Sequence, residues 1–438
     1  MLAVALATLI GGVAAQAQPA AEPHSEYDLL FQSILRDPAN LDLNFRFAEV
    51  STRLGDYEAA IGALERILFY NPNLPRVKLE LGVLYFKLGS YQMARTYFTG
   101  AIEAPDTPGD VRFRVQNYLA EIDRRLSTNQ FSLYAQGGYR YQTNANAGPS
   151  SPFVRALGQD AVLDRQFVNR PDWNAFGLTA IRHVYDFENQ RGDVWETSLA
   201  GYYAAQARFT RLNLGFLELQ TGPRLAVEPE LLPGVSVRPY LLTNGVTLGD
   251  NRYLTTRGGG VALTIPVGGF MTLEPFVEGR DRRFSYSAEY PNAKEQTGRL
   301  WTTGLLAGGA LAGPFRWQAR AAYARNDAQP RFDYNSYDQV AFDLGFPVEF
   351  ESPVGNGKSW ALIPTFGWAR YDYDQPNPLI DPVVKRRDRE LRTGLLLDMP
   401  LYEFAGMAVQ VLYSTIDSKL PNYDTHNLSV TFGPTVRF

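Results

Sequence analysis

The sequence predicts an α + β multidomain protein: an N-terminal all-α helical solenoid followed by a 14-stranded antiparallel transmembrane β-barrel. Three observations carry this. Residues 26–127 show helical patterning that repeats after 34 residues. From Asn129 onward the apolar period drops to two and holds to Phe438. The chain of 438 residues is 45% hydrophobic and 13% aromatic, yet no run of 18 apolar residues follows Ala17. Apolar content of that size without a greasy window is what alternating strands produce.

The N-terminus comes first in order. Residues 2–15 are almost all small or apolar, and Ala15-Gln16-Ala17 has the A-x-A form of a cleavage site. A signal peptide over 1–17 is expected, with a linker over 18–25 and export from the cytoplasm. The absence of cysteine suits an oxidising compartment and excludes disulfides, thiolate metal sites and cysteine nucleophiles. The three histidines, His24, His183 and His426, are far apart. No metal, cofactor or catalytic constellation is expected, and enzyme function is not. A net charge of −4 gives no electrostatic footprint for nucleic acid.

The helical domain is expected over 26–127. Asp37-Pro38-Ala39 and Asn71-Pro72-Asn73 are 34 residues apart, as are Leu54-Gly55-Asp56-Tyr57 and Leu88-Gly89-Ser90-Tyr91, Ala60 and Ala94, and Phe45 and Leu79. Gly55 and Gly89 stand where a helix ends and the chain turns. Ala60 and Ala94 are small where helices cross. This period and these residues resemble the tetratricopeptide repeat, with a further helix from about Pro108 to Leu126 capping the stack. Such stacks leave a concave groove. Arg46, Glu49, Arg76 and Glu80 are the candidate partner-binding residues, although a solvated face or packing as a scaffold accounts for them as well.

The barrel is expected over 128–438. Fourteen alternating segments lie near 130–142, 172–186, 193–206, 212–225, 235–248, 251–265, 269–282, 296–312, 315–326, 335–350, 359–372, 387–400, 404–417 and 424–438. Most exceed ten residues, long enough for a tilted strand to cross a bilayer. On the last one, Leu428, Val430, Phe432, Pro434, Val436 and Phe438 share a face, opposite Asn427, Ser429, Thr431, Thr435 and Arg437. On other strands Glu274, Glu278, Arg316, Arg320, Glu390 and Arg392 fall on the polar face and are expected to line a wet lumen. With the helical domain in the periplasm, the outer connections include the long segments 143–171, 283–295, 327–334 and 373–386. The inner turns, such as Pro266–Gly268 and Ala312–Pro314, are short, which is the usual asymmetry of such barrels. Gly249-Asp250 breaks the pattern as a tight outer hairpin.

Arg282 and Arg283, with Arg386 and Arg387, fall at outer strand ends, where they are candidate lipopolysaccharide ligands or a solvated rim. The acids of Tyr371-Asp372-Tyr373-Asp374 and Asp381 lack the spacing of a calcium loop, so a plain acidic loop is expected. Gly258-Gly259-Gly260 reads as a strand kink or bend.

A short repeat domain fused to such a barrel resembles the surface lipoprotein assembly modulators, the Slam family, over the whole mature chain. Gly137-Gly138-Tyr139-Arg140-Tyr141-Gln142-Thr143-Asn144-Ala145-Asn146-Ala147 is similar to that family's signature at the first strand, with Tyr139, Gln142, Asn144 and Asn146 as its positions; Gln142 and Thr143 depart from the family's usual residues. The alternation ending at Phe432, Val436 and Phe438 resembles the C-terminal signal read by the barrel-assembly machinery. The resemblance implies a monomeric Gram-negative outer-membrane translocator, its repeat domain in the periplasm. It implies that the protein delivers a client, a surface lipoprotein or a secreted haem- or iron-binding protein, to the cell surface. An exopolysaccharide exporter of the repeat-and-barrel type and a passive porin are the alternatives; Tyr202 and Phe276 fall on the inward face without forming a regular ladder.

Overall fold

The computed structural model describes residues 24–103, 107–228 and 230–438. The expected signal peptide lies outside the described residues, as does the expected linker up to residue 23; His24 already opens a helix. The chain divides into two compact units between Ser127 and Thr128.

The first unit has six helices among the described residues: α1 (His24–Arg36), α2 (Leu41–Leu54), α3 (Tyr57–Tyr70), α4 (Pro75–Lys87), α5 (Tyr91–Ile102) and α6 (Gly109–Arg125). Local chemistry sets their ends. The side chains of Asn40 and Asp56 accept from the Leu43 and Ala59 amides at 3.2 and 3.1 Å and cap α2 and α3. Pro75 opens α4, where no amide donor is needed. Gly55 and Gly89 take left-handed φ of 81° and 75°, which a side chain would resist. Ala60 and Ala94 are fully buried at the helix crossings. Gly82 gives α4 room for Phe98 of α5: a Cβ there would lie 2.5 Å from the ring. The paired positions Phe45 and Leu79 part company. Leu79 sits in the core that α6 completes with Val111, Val115 and Ile122, whereas Phe45 is 41% exposed.

The second unit is a closed antiparallel barrel. Its strands are β1 (Asn129–Gln142), β4 (Asp172–Asp186), β5 (Val194–Gln206), β6 (Leu214–Ala226), β7 (Ser236–Leu248), β8 (Asn251–Val267), β9 (Met271–Phe284), β10 (Gly298–Ala312), β11 (Phe315–Ala328), β12 (Tyr337–Gly345), β13 (Val348–Glu351), β14 (Ser359–Tyr373), β15 (Arg387–Pro400), β16 (Ala405–Ser418) and β17 (Thr425–Arg437). Each pairs with its sequence neighbour, and β17 pairs with β1 to close the ring. β12 and β13 share one position between β11 and β14, so fifteen strands make fourteen staves among the described residues. Pro347, which has no amide donor, interrupts that stave. Closure satisfies the backbone along every edge, the condition for a sheet to sit in hydrocarbon. The short strands β2 (Phe153–Ala156) and β3 (Gln159–Val162) form a separate hairpin inside the first long connection.

Parity sorts the faces. On β17, Ser429 and Thr435 are 7% and 1% exposed, while Phe432 and Val436 are 38% and 46% exposed. The apolar parity faces outward on neighbouring strands too, where Leu241, Val261, Val277, Trp301 and Tyr323 are exposed. The polar parity makes ion pairs between strands that are not adjacent, such as Arg280 on β9 with Glu218 on β6, which the concave inner wall allows.

The long connections gather at the end opposite to where β1 begins, hereafter the far end. There Gly249 and Asp250 both have positive φ, 58° and 61°, the two-residue turn that matches strand twist. The glycine run at 258–260, expected as a kink or bend, leaves the strand pairing unbroken. β8 stays in register with β7 and β9 through all three residues. The space serves a ring instead, because a Cβ on Gly260 would lie 2.6 Å from the Tyr240 hydroxyl oxygen.

Candidate functional site: the lumen and its loop-covered mouth

The first long connection folds toward two others. Leu157 and Gly158, at the tip of the β2–β3 hairpin, donate their amides to Leu379 and Ile380 carbonyls at 3.1 and 2.9 Å. Arg155 donates from Nε and a terminal nitrogen to Asp381 Oδ2 at 3.1 and 3.0 Å. Its backbone exchanges two hydrogen bonds with the Asn422 amide, each 2.9 Å. Asp381 is 2% exposed and also accepts from the Val383 and Val384 amides at 2.9 Å. Those amides, and then Arg155, hold its carboxyl below the usual carboxylate range. Asp381 is thus an inter-loop anchor. Asp372 and Asp374 are taken up by Arg387 and Arg325, and no acidic group suited to a metal ion occurs among the described residues.

The opposite side of the mouth is tied down separately. The Tyr290 hydroxyl donates to the Arg211 carbonyl at 2.6 Å. The Tyr334 hydroxyl donates to Glu295 at 2.7 Å, and Asn335 donates to the Glu295 carbonyl at 3.1 Å. Burial, with Glu295 beside it, pushes the Tyr334 hydroxyl up to about 12. A cleft of about 340 Å³ joins the two sides, with Tyr253, Tyr290, Glu295 and Tyr334 facing Asn377 and Leu379. Loops from both halves of the ring therefore converge over the far end.

The first-strand motif is a fastening for this cover. Asn144 and Asn146 are 7% and 6% exposed. Asn144 donates to the Gly148 carbonyl at 2.8 Å and accepts from its amide at 3.0 Å. Asn146 donates to the Val168 carbonyl at 2.8 Å and accepts from the Arg170 amide at 2.7 Å. Both side chains are spent on the loop's own backbone, the local role that asparagine fills best. Gln142 accepts from Asn427 at 3.4 Å, and Tyr139 points outward, 58% exposed, near Phe432.

Below the cover, the inner wall is a set of paired charges. Glu196 receives Arg182 at 2.7 Å, Arg224 at 2.9 Å and Arg238 at 3.6 Å. Arg238 continues to Glu274 at 3.8 Å, and Thr264 donates to Glu274 at 3.3 Å. Glu278 receives Arg280 at 2.5 Å and the Tyr240 hydroxyl at 2.9 Å. On the facing staves Asp343 receives Arg320 at 3.6 Å and Arg392 at 2.8 Å, and Arg392 reaches Glu390 at 3.1 Å. Arg316 meets Glu349 at 3.6 Å. The six sequence-designated lumen residues fall into these separate networks rather than one site.

Two rim expectations are corrected. Arg282 turns inward to Asn326 at 2.9 Å and lies over Phe284. Arg386 also turns inward, over Tyr373 and Tyr423, and reaches Asp388 at 2.6 Å. Adjacent residues on a strand point to opposite faces, so a pair of neighbouring arginines cannot both serve the rim. Arg283 and Arg387 are the outward members, held by Asp281 at 3.0 Å and by Asp372. Sequence reasoning missed the inward aromatic cluster of Tyr337, Tyr371 and Tyr373, each 5–8% exposed. Its only signal was tyrosine at alternate positions, 371 and 373, at the end of β14.

In the helical unit Arg46, Glu49, Arg76 and Glu80 are exposed and are not drawn into one cluster; Arg76 pairs with Asp110 at 3.7 Å. A half-buried feature there has no counterpart in the sequence reading. Tyr85 and Tyr97 stack with centroids 5.4 Å apart, and both hydroxyls donate to Glu65 Oε1 at 2.8 Å. Burial and this carboxylate push the Tyr85 hydroxyl up to about 12 and that of Tyr97 higher. At the C-terminus Phe432, Val436 and Phe438 are exposed on the outward face, and Phe438 exchanges two 2.9 Å backbone hydrogen bonds with Leu133.

No family model and no curated protein matches the chain. Among solved structures, the Yersinia enterocolitica type III secretion chaperone SycD, in complex with a peptide of the translocator YopD, is similar to the helical part at 14% identity. That match covers 24% of this chain and 82% of the chaperone, with a TM-score of 0.23. A bacterial polysaccharide outer-membrane secretin matches at 11% identity over 70% of this chain and 98% of its own, TM-score 0.35. The outer-membrane protein OpdK from Pseudomonas aeruginosa matches at 9% identity over the same shares, TM-score 0.34. The fold rests on the strand pairing itself: among the described residues, a helical unit of six helices is followed by a closed 14-stave barrel with an apolar outer belt.

Proposed function

We propose that the protein is an outer-membrane translocator that receives a protein client on its periplasmic helical unit and delivers it to the cell surface. The observation that carries this reading is the fusion of a helical-repeat unit, through Ser127 and Thr128, to the first strand of a barrel whose far mouth is covered by interlocking loops. A passive pore needs neither a repeat unit nor fastened loops; a guarded delivery route uses both. The outward rim residues Arg283 and Arg387 meet lipopolysaccharide phosphates, and the alternation ending at Phe438 serves recognition by the assembly machinery. The chain acts without a cofactor and catalyses no covalent step. Surface lipoproteins and secreted haem- or iron-binding proteins are the client classes that the Slam resemblance suggests.

Gene deletion followed by protease shaving of intact cells tests the reading. Loss of one or a few surface-exposed or secreted proteins, restored by the intact gene, is expected. An unchanged surface proteome contradicts client delivery. Loss of surface polysaccharide with an unchanged proteome points to the exporter alternative.

A further inference from the structure

The inward arginines of the strands are almost all satisfied. Arg182, Arg224, Arg238, Arg280, Arg316, Arg320, Arg386, Arg392 and Arg437 each hold a carboxylate, and Arg282 holds Asn326. Arg140 is the exception among the described residues. Its side chain makes no ion pair and no hydrogen bond; its guanidinium lies over the Tyr202 ring, 5.9 Å from the guanidinium carbon to the centroid. Asp172, in the adjacent row, is occupied by the amides of Arg208 and Phe209 at 2.7 and 3.2 Å.

Arg140 stands in a row of its own. It lies opposite Asn174, which lies opposite Gln206. The next inward position on β4 is Phe176, opposite Ala204 on β5, and its ring stacks on that of Tyr202, one inward position further along β5, with centroids 6.4 Å apart. Three atoms of this patch are shielded and unpartnered: Arg140 Nε, Asn174 Oδ1 and the Tyr202 hydroxyl oxygen. Asn174 as a whole is 1% exposed. Polar atoms left unpaired in one place are costly, and their usual explanation is a missing partner. The terminal nitrogens of Arg140 are not among the shielded atoms, so they open to the lumen.

The unmet groups define their ligand. The guanidinium needs an anion, and its planar fork matches a carboxylate. The Asn174 oxygen needs a donor, which a carboxylate alone does not supply but a neighbouring hydroxyl does. The half-buried Tyr202 ring, beside the guanidinium, suits the C–H face of a sugar. We propose that Arg140, Asn174, Gln206, Tyr202 and Phe176 form a lumen subsite for a hydroxylated carboxylate of the sugar-acid class. The patch lies just under the loop cover, two residues before β1 ends, where a solute in the mouth meets the barrel wall. The inference goes beyond the client reading and does not depend on it.

Ligand-observed NMR on the purified full chain in detergent tests the subsite, with D-glucuronate as the probe and D-glucose and acetate as comparators. Saturable glucuronate binding is expected, with both comparators at least tenfold weaker. Arg140→Gln is expected to weaken glucuronate at least tenfold, while Arg282→Gln leaves it unchanged. Should Arg140→Gln misfold, Tyr202→Phe serves as a second variant, expected to weaken binding severalfold. No saturable glucuronate signal in the natural chain overturns the assignment. So does glucose binding as well as glucuronate, or equal loss of affinity in the Arg282 variant.

Discussion

Arg155, on the hairpin of the first loop, is joined by two hydrogen bonds to Asp381, 226 residues away on another loop of the far end. The pair of bonds ties the loop that carries the β2–β3 hairpin to the connection before β15. Arg155→Ala should therefore free the hairpin while leaving the barrel closed. Limited proteolysis of the folded protein is expected to cut within 153–162 faster in the variant than in the natural chain. Single-channel current should show longer open intervals.

The same anchor has a pH dependence with a definite sign. The Asp381 carboxyl is held below its ordinary value. Its contribution is thus fully present above the unfolded pKa of about 3.9 and disappears only as pH falls through the lower folded value. Proteolysis by an acid-active protease should show no release of the hairpin at pH 5 to 7 and release only at a pH below the ordinary aspartate value of about 3.9. Asp381→Asn should remove that pH step.

Asn144→Ala should leave the Gly148 amide and carbonyl without partners. The local cost is about 1–3 kcal/mol. Hydrogen exchange of the Gly148 amide is expected to accelerate by about tenfold for each 1.4 kcal/mol lost. Strand amides in β1 should keep their protection.

These expectations separate what the sequence made legible from what it hid. Strand period, count and ends were readable, because each apolar face in lipid forces alternation in the residues themselves: all fourteen staves begin and end close to their expected positions. The 34-residue spacing located Gly55 and Gly89 because a left-handed helix end favours glycine wherever it recurs. For Glu274, Arg392 and the other residues expected on the polar face, the sequence offered a parity but not the ion-pair partners that the structure gives them. Which acid meets which arginine depends on stagger between strands that are not neighbours in sequence. Arg282 and Arg386 were misassigned because a cluster of like residues was read as one surface, when a strand splits it between two. The Arg155–Asp381 bond and the bare Arg140 left no local trace; each is defined by residues far away in the chain.

Gly82→Ala tests the helix crossing in the first unit. Its Cβ would lie 2.5 Å from the Phe98 ring, which is fully buried. Overpacking of this kind costs about 1–3 kcal/mol. The helical circular-dichroism signal at 222 nm should melt at a lower temperature in the full chain, with the strand signal unmoved. An unchanged melt would mean the ring has room to shift.

The outward rim carries a test of lipid contact. The double substitution Arg283→Ala, Arg387→Ala removes two exposed charges, each worth about 0.5–1 kcal/mol in such a setting. Co-purified lipopolysaccharide is expected to fall severalfold. The inward pair Arg282→Ala, Arg386→Ala should leave it unchanged.

Delivery from helical unit to covered mouth requires the two to lie on opposite sides of the membrane, and the absence of natural cysteine makes this directly measurable. Val162 in the hairpin is 73% exposed and Phe69 in α3 is 82% exposed. Val162→Cys and Phe69→Cys, each as the sole thiol in the full chain, are to be treated on intact cells with a membrane-impermeant maleimide. The predicted result is labelling at position 162 in intact cells and at position 69 only after the outer membrane is broken. Labelling at 69 in intact cells, or at 162 only after breakage, would contradict the proposed route.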